Sequence, residues 1–468
     1  MKSAFPESIL NKHNRRKLQK QYFWSVAPPY RAERKFLMST FAETLTPQER
    51  KRGRLLAYFA CYFGCISEVM MDSSAIIIVY ISMLGGSKDV VMFSTGFSAV
   101  LSMFLMIPSA FCVGRIGMKK AVTIACIIGC AGYLLMALAP LFGAWQKAAV
   151  ITGCLVYCAQ RSLYGATWYP MLDAFLRPED RGSFFGTMRY TYTILAAVLF
   201  FIVGKLMGSN PPLLLMQCIV GITGVMILGR LFCMLRFPEN PQEKQFKLDI
   251  RKTLGISLRN GALVSYSVYV CLLSLAYTSL VPVILLYLKN HVGLDAGKLQ
   301  IFSTVGLAGG ITGYFFYGKL QKKFKIKGLE LFVHIVFMTV ALCFAFISKN
   351  VPYYIFIAGV IYFLNSFAGS TFMCNNSSEL LALARPGNKT MAMALLQTYQ
   401  NAGISISRTG TAMILGANLL APAWTMWNLE LCSYQTLFLF YGVLAGILLL
   451  LIPTLPAIVP KHRDYYQP

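Results

Sequence analysis

Four ionisable side chains stand inside long apolar runs: Glu68 and Asp72, one helical turn apart in the first run, Arg161 in the fourth and Arg408 in the eleventh. A charge at the centre of a bilayer costs about 3 kcal/mol on insertion scales, so each is a candidate for function. A carboxyl beside a guanidinium is the least apparatus that can take up and release a proton. Burial and the neighbouring cation act on its proton affinity in opposite senses, so water or an arriving anion can tip it. Two carboxyls facing one arginine leave one of them proton-labile. The alternative is that Glu68 or Asp72 simply neutralises Arg161 as a buried structural pair, and the residue types alone leave both open.

Polar and aromatic side chains share the runs that carry these charges. Tyr157, Gln160, Tyr164 and Trp168 surround Arg161, Tyr269 lies in the seventh run, Asn365 in the tenth, and Gln400 and Asn401 in the eleventh. Amides and hydroxyls that hydrogen-bond, with aromatic faces that stack, suit a hydroxylated solute such as a sugar. Arg161 and Arg408 extend this to a sugar acid, because a guanidinium matches a carboxylate. Any single Asn or Gln could equally tie two helices together.

The elements that must position these residues are helices. Of 468 residues 56% are apolar and 13% charged, about half the charge content of a soluble protein. Apolar stretches long enough to span a bilayer recur at 55–83, 90–113, 121–141, 148–173, 184–207, 212–236, 261–288, 299–318, 329–348, 352–381, 391–421 and 434–457. The expectation is an all-α integral membrane protein with twelve transmembrane helices. A basic arm (1–54) precedes two six-helix bundles (55–236 and 261–457), which are joined by a polar linker (237–260) and followed by a short tail (458–468). Thr46-Pro47-Gln48-Glu49 reads as a capping box with proline at the first helical position.

The net charge of +25 could suggest nucleic acid, but its placement reflects topology. With the N-terminus in the cytoplasm, the arm and inner loops hold most of the 43 lysines and arginines. The outer loops hold few, and Arg161 and Arg408 are read inside spans. That positive-inside pattern puts both termini in the cytoplasm. The arm reads as a segment obeying this bias or lying on anionic head groups. The 13 cysteines fall almost wholly within spans, with Cys432 in an outer loop, and form no disulfide framework. The four histidines lack ligand-like companions, so no metal is expected. The charged N-terminus does not resemble a cleaved signal peptide. Short loops fit a bacterial cytoplasmic (inner) membrane and a monomer.

The chain also repeats itself. A shift of 208 residues carries Arg115 onto Lys323 and Lys119 onto Lys327, and the same shift carries Arg177-Pro178-Glu179-Asp180-Arg181 onto Arg385-Pro386-Gly387-Asn388-Lys389. Two separate loops agreeing on one offset indicate tandem copies of one unit. Glu68, Asp72 and Arg161 instead meet Ala276, Leu280 and Gly369, and Arg408 meets Phe200. The scaffold is duplicated and the buried charges are not.

The turn Arg115-Ile116-Gly117-Met118-Lys119-Lys120 resembles the loop signature between the second and third helices of the major facilitator superfamily of secondary transporters. The signature's leading Gly and its Asp are replaced by Ala110 and Gly114. Arg161 and Gly165 resemble the Arg-x-x-x-Gly core of a fourth-helix motif in proton-coupled members. The fifth-helix Gly-Pro motif of drug/proton antiporters is absent, which favours uptake over drug export.

The resemblance implies alternating access, with no enzymatic activity and no cofactor beyond a coupled proton. Glu68 and Asp72 would form the proton site, while Arg161, Arg408 and the polar set would hold the solute. Arg115, Gly117, Lys119, Lys120, Asp173, Arg177, Arg181 and Glu379 would form the cytoplasmic gate, with Asp173 and Glu379 pairing with Arg177, Arg115 or Arg385. Rival expectations are an uncoupled facilitator or exporter of the same fold, a membrane-embedded enzyme, and a sensor that kept the fold.

Overall fold

Backbone amides inside hydrocarbon have no water to turn to, so runs of this composition satisfy them within helices. The computed structural model describes residues 41–454 apart from 74, 86–87, 208–210, 240–249, 295, 349–350, 385–387 and 427–428. The readings of the basic arm before residue 41, of the tail and of Arg385 lie outside the described residues. In chain order the first half holds α1 (Pro47–Ser73), α2 (Ala75–Met83), α3 (Lys88–Ile116), α4 (Met118–Ala137), α5 (Gln146–Asp173), α6 (Arg181–Met207) and α7 (Leu213–Met234). Then come α8 (Ile250–Leu258), α9 (Gly261–Tyr277), α10 (Leu280–Leu286), α11 (Ala296–Phe346), α12 (Tyr354–Leu383), α13 (Lys389–Gly416), β1 (Ala423–Met426), β2 (Leu429–Cys432) and α14 (Ser433–Leu451).

The capping box forms as read. Thr46 N donates to Glu49 Oε2 at 2.9 Å and Glu49 N to Thr46 Oγ1 at 3.3 Å, with Pro47 opening α1. Ten helical segments among the described residues are long and apolar enough to cross a membrane. One of them, Thr304–Phe346, has 43 residues. At about 1.5 Å per residue it would run roughly 65 Å, twice the hydrocarbon thickness. Its backbone breaks at Lys325 (φ 56°, ψ 179°), within the lysine-rich turn that the repeat aligns with the Arg115 loop. α13 has the length, at 28 residues, but its Gln, Asn, Ser and Thr residues leave it outside the ten.

One expectation is corrected. The eleventh run does not stay helical to residue 421: α13 ends at Gly416, and β1 and β2 pair antiparallel as a small hairpin. Trp424 Nε1 donates to Thr436 Oγ1 at 2.7 Å, fastening that hairpin to α14. Cys432, in the connection between α13 and α14, ends β2 and is the buried N-cap of α14. The polar linker contains α8, against which Asn388 Nδ2 reaches Thr253 O (3.0 Å) and Ser257 Oγ (2.9 Å).

Packing is mostly local to each half. α5 lies against α3 and α4, and α7 against α1 and α4; α11 lies against α12 and α14, and α13 against α9. Across the halves, α3 meets α13, and α6 meets α11 and α12. The glycine stripe Gly306, Gly309, Gly313 in α11 faces α12, within one half. A Cβ at Gly306 would come 2.6 Å from the Tyr362 ring, and one at Gly313 2.5 Å from Phe367 O. The close approach between halves uses other glycines. Gly186 lies where a Cβ would come 2.8 Å from Tyr314 O, and Gly318 where one would come 3.2 Å from Ser183 Cα.

Gly313→Leu is therefore expected to lower stability by about 1–3 kcal/mol through overpacking. A fall in the unfolding temperature of the detergent-purified protein would register it. Gly410→Ala, where nothing lies within 4 Å, should leave that temperature unchanged or slightly raised.

Candidate functional site

The first half places its carboxyl chemistry between α1, α5 and α7. Arg230 Nη2 donates to Glu68 Oε1 at 2.6 Å, and its Nε donates to Ala60 O at 3.3 Å. The guanidinium lies 4.2 Å from the centre of the Tyr164 ring, so three groups share one buried cation. Gly64, one turn before Glu68, makes the room, since a Cβ there would collide with the guanidinium. The Arg230 side chain is 4% exposed and that of Glu68 is 30% exposed. The carboxylate thus keeps an open side while its partner is sealed.

The partner found for Glu68 is Arg230, while the other arm of that expectation, Asp72 with Arg161, rests on a side chain outside the described residues. Arg161 Nη1 donates to Ser98 Oγ at 3.2 Å. Asp72 lies at the end of α1, and its side chain falls outside the described residues. Tyr164 and Trp168 stay together, ring centres 5.7 Å apart, and continue the wall beneath Arg230. Tyr157 and Gln160 serve helix packing instead. Tyr157 donates to Ser67 Oγ at 3.1 Å, and Gln160 is buried against Gly129.

The second half holds a carboxyl that the sequence reading missed. Glu330 is fully buried in α11. It accepts from Tyr269 (2.8 Å) and Tyr266 (3.4 Å) of α9 and from Asn375 Nδ2 (2.7 Å) of α12. One turn on, His334 Nδ1 contacts Glu330 O at 2.8 Å, and its ring stacks on Tyr269 at 5.3 Å. Tyr269 is therefore committed to this cluster, which also holds His334. Gln400 Oε1 accepts from Asn376 Nδ2 at 3.2 Å, bridging α13 and α12. Asn401 is half-buried, Asn365 is buried with no hydrogen-bond partner for Oδ1, and Arg408 is exposed.

At the ends where α5 stops and α13 starts, Asp173 carries two cations. Arg181 Nη2 donates to Asp173 Oδ1 at 2.9 Å, and Lys389 Nζ reaches Asp173 Oδ2. The repeat aligns Arg181 with Lys389, so equivalent positions of the two halves converge on one carboxylate. The expected partners Arg177 and Arg115 are not the ones found on Asp173. Arg177 instead pairs with Glu179 (2.9 Å) and Asp180 (3.2 Å). Arg115 lies over Phe111 at 4.2 Å, and Lys119 pairs with Glu239 at 3.7 Å. Lys120 is exposed and Gly117 takes φ 87° at the turn. Glu379 is fully buried near Arg181.

Arg189, Arg230, Glu330 and His334 escaped the sequence reading. Arg189 and Arg230 lie near the inner ends of their runs, where they read as further positive-inside charges. The usable signal was periodicity: Arg230 falls on the face of α7 that buries Thr223, Ile227 and Met234. Glu330 and His334 stand one turn apart on one face of α11.

Removing one member of a buried pair leaves the other uncompensated, a loss of about 3–5 kcal/mol for sealed pairs. Arg230→Leu is expected at the lower end, since Glu68 retains its open side. Adding Glu68→Gln should return part of the loss, which a double-mutant cycle in unfolding temperature would read directly.

Comparison with known proteins completes the assignment. Among curated protein sequences none matches the chain. Solved structures match its fold at low identity. The proton:xylose symporter XylE aligns over 88% of this chain and 96% of its own, with TM-score 0.65 and 13% identity. A bacterial homologue of the iron transporter ferroportin, in its outward-facing state, aligns over 86% and 98%, with TM-score 0.64 and 13% identity. The human organic anion transporter MFSD10 aligns over 87% and 100%, with TM-score 0.62 and 12% identity. Residues 55–408 match the family model of the Major Facilitator Superfamily. The chain is a multi-pass membrane protein that belongs to the Major Facilitator Superfamily of transporters.

Proposed function

We propose that this chain imports a small polar or anionic organic solute, a sugar or sugar acid, by alternating access with proton symport. Dividing the 43-residue segment at Lys325 and adding α13 to the ten apolar helices makes twelve crossings. They fall into halves at 55–236 and 261–457, joined by 237–260. The protein works as a monomer in a bacterial cytoplasmic membrane with both termini inside, on the argument from basic loops.

The observation that carries this reading is the Glu68–Arg230 pair. A carboxylate at mid-depth with one open side and one sealed cationic partner can load a proton from the aqueous side. Protonation cancels its charge and releases Arg230 from that bond, which changes what the Tyr164 and Trp168 wall can accommodate. Asp72, one turn further out, is the second carboxyl of the proposed proton site. Arg161, with Asn401 and Gln400 across from it, completes the solute-facing set, and Arg408 lies further toward the outside.

Closure on the cytoplasmic side has its own support. Contacts between the halves gather at the ends bearing Arg115 and Lys323: Asp173 to Lys389, Gly186 to Tyr314, and Tyr169 OH to Ser377 Oγ at 3.1 Å. Asp173 is the keystone of this closure, because it holds a cation from each half.

Purified protein in liposomes, given labelled sugars, sugar acids and small carboxylates, is expected to accumulate one solute class under an inward proton gradient. Glu68→Gln should abolish gradient-driven accumulation while exchange without a gradient persists. Transport indifferent to both gradient and substitution would make the pair structural and the protein an uncoupled facilitator. Asp173→Asn should loosen the inner closure. Its expected sign is several-fold faster labelling, by a membrane-impermeant thiol reagent applied from the cytoplasmic side, of a cysteine placed at Ser377.

A further inference from the structure

One buried guanidinium has no acidic partner among the described residues. Arg189, on the third turn of α6, is 8% exposed. Its Nη2 donates to Ser377 Oγ of α12 at 3.0 Å, and its Cζ lies 5.8 Å from the Tyr314 ring of α11. Nε is buried without a hydrogen-bond partner. Among the described residues no carboxylate pairs with it, whereas Arg230 has Glu68 and Arg181 has Asp173. A buried cation left with only a hydroxyl and a ring forgoes most of the compensation such groups require.

Its position is as telling as its isolation. Ser377 also bonds Tyr169 at 3.1 Å, and Tyr169 and Ser377 are themselves separated by 208 residues, the repeat offset. Repeat-related residues that touch lie on the pseudo-two-fold axis between the halves. Arg189 therefore stands at that axis, eight residues along α6 from the Asp173–Arg181 clasp, or about 12 Å at the helical rise. Its repeat counterpart is Gln397, so the charge is a feature of one half only. Its partners beyond its own helix, Ser377 and Tyr314, belong to the opposite half, and both would be lost if the inner ends separated.

We propose that Arg189 is the anion-holding group of the transport site, binding a carboxylate of the solute that replaces Ser377 on its guanidinium as the inner side opens. This rests on the transporter reading above and narrows its substrate class to singly charged organic anions. One uncompensated cation is balanced by one carboxylate, while a phosphate dianion would bring a second charge. The planar fork of arginine offers two donors to a carboxylate where Ser377 takes one. Neutral solutes would leave Arg189 bare at the moment the halves part, which makes the anion a condition of opening.

The test uses full-length protein in detergent and a carboxylate-free buffer, with unfolding temperature read against acetate, lactate, gluconate, glucuronate, glucose and glucose 6-phosphate. At least one carboxylate is expected to stabilise the wild type more than glucose or glucose 6-phosphate does. Arg189→Gln should weaken that response at least tenfold in ligand concentration, and Arg189→Lys should weaken it less. Ser377→Ala guards against misfolding of the arginine variants. It keeps the guanidinium and removes its competitor, so the carboxylate should bind at least as tightly as to the wild type. Loss of the response in Ser377→Ala, an unchanged response in Arg189→Gln, or no carboxylate surpassing glucose would overturn the proposal. In the last case, proton-driven uptake of a neutral sugar in liposomes would leave the transporter reading intact, and absence of all uptake would remove both.

Discussion

An ion in hydrocarbon must bring its compensation with it, and that requirement ties the helices of this protein together. Glu68 and Arg230 join α1 to α7. Glu330 draws Tyr266, Tyr269 and Asn375 onto one carboxyl, joining α9, α11 and α12. Asp173 gathers Arg181 and Lys389 and so joins α5, α6 and α13. Apolar burial gives no preference for one helix pairing over another when lipid is as apolar as leucine. The polar partners, with glycine contacts fitted to single neighbours, are what make these pairings specific.

The same accounting separates what is permanent from what can part. Within each half, contacts are dense and shape-specific, as where Gly306 and Gly313 admit Tyr362 and Phe367. Between the halves the bonds are few and single: Asp173 to Lys389, Arg189 to Ser377, Tyr169 to Ser377. A protein that exposes its centre alternately to two sides needs an interface that can be undone without unfolding either half. Small residues at Gly186 and Gly318 allow the inner ends to close without interlocking large side chains.

Symmetry of scaffold and asymmetry of chemistry are the second organising feature. The repeat equates Arg181 with Lys389 and Tyr169 with Ser377; the first pair meets on Asp173 and the second touches directly. Glu68, Arg230, Arg189 and Glu330 correspond to Ala276, Phe438, Gln397 and Val122. A gate is served by equivalent positions from both halves converging. A site of the kind proposed for Glu68, Arg230 and Arg189 must present a solute with different groups on different sides, which positions where the copies have diverged can supply.

Much of this was legible in the chain alone. Run length and apolarity determined where helices cross, because a bilayer of fixed thickness admits few alternatives. The lysine and arginine pattern set the proposed orientation, the 208-residue offset revealed two related halves, and Thr46 and Glu49 marked the start of α1. Glu68 could be singled out because a carboxyl in such a run carries a cost that some partner must offset. Its partner could not, since Arg230 is 162 residues away in sequence, and only helix packing brings the two within 2.6 Å. The same holds for Glu330, for the hairpin that interrupts the helical pattern, and for Asp173, whose cations were misassigned. Arg189 lay hidden for a different reason. Near a helix end a charge reads as solvated, and only the packing of α11 and α12 over that end shows it to be buried. Periodicity reports which face of a helix is apolar; which helix that face meets is decided by the fit of side chains across the whole assembly.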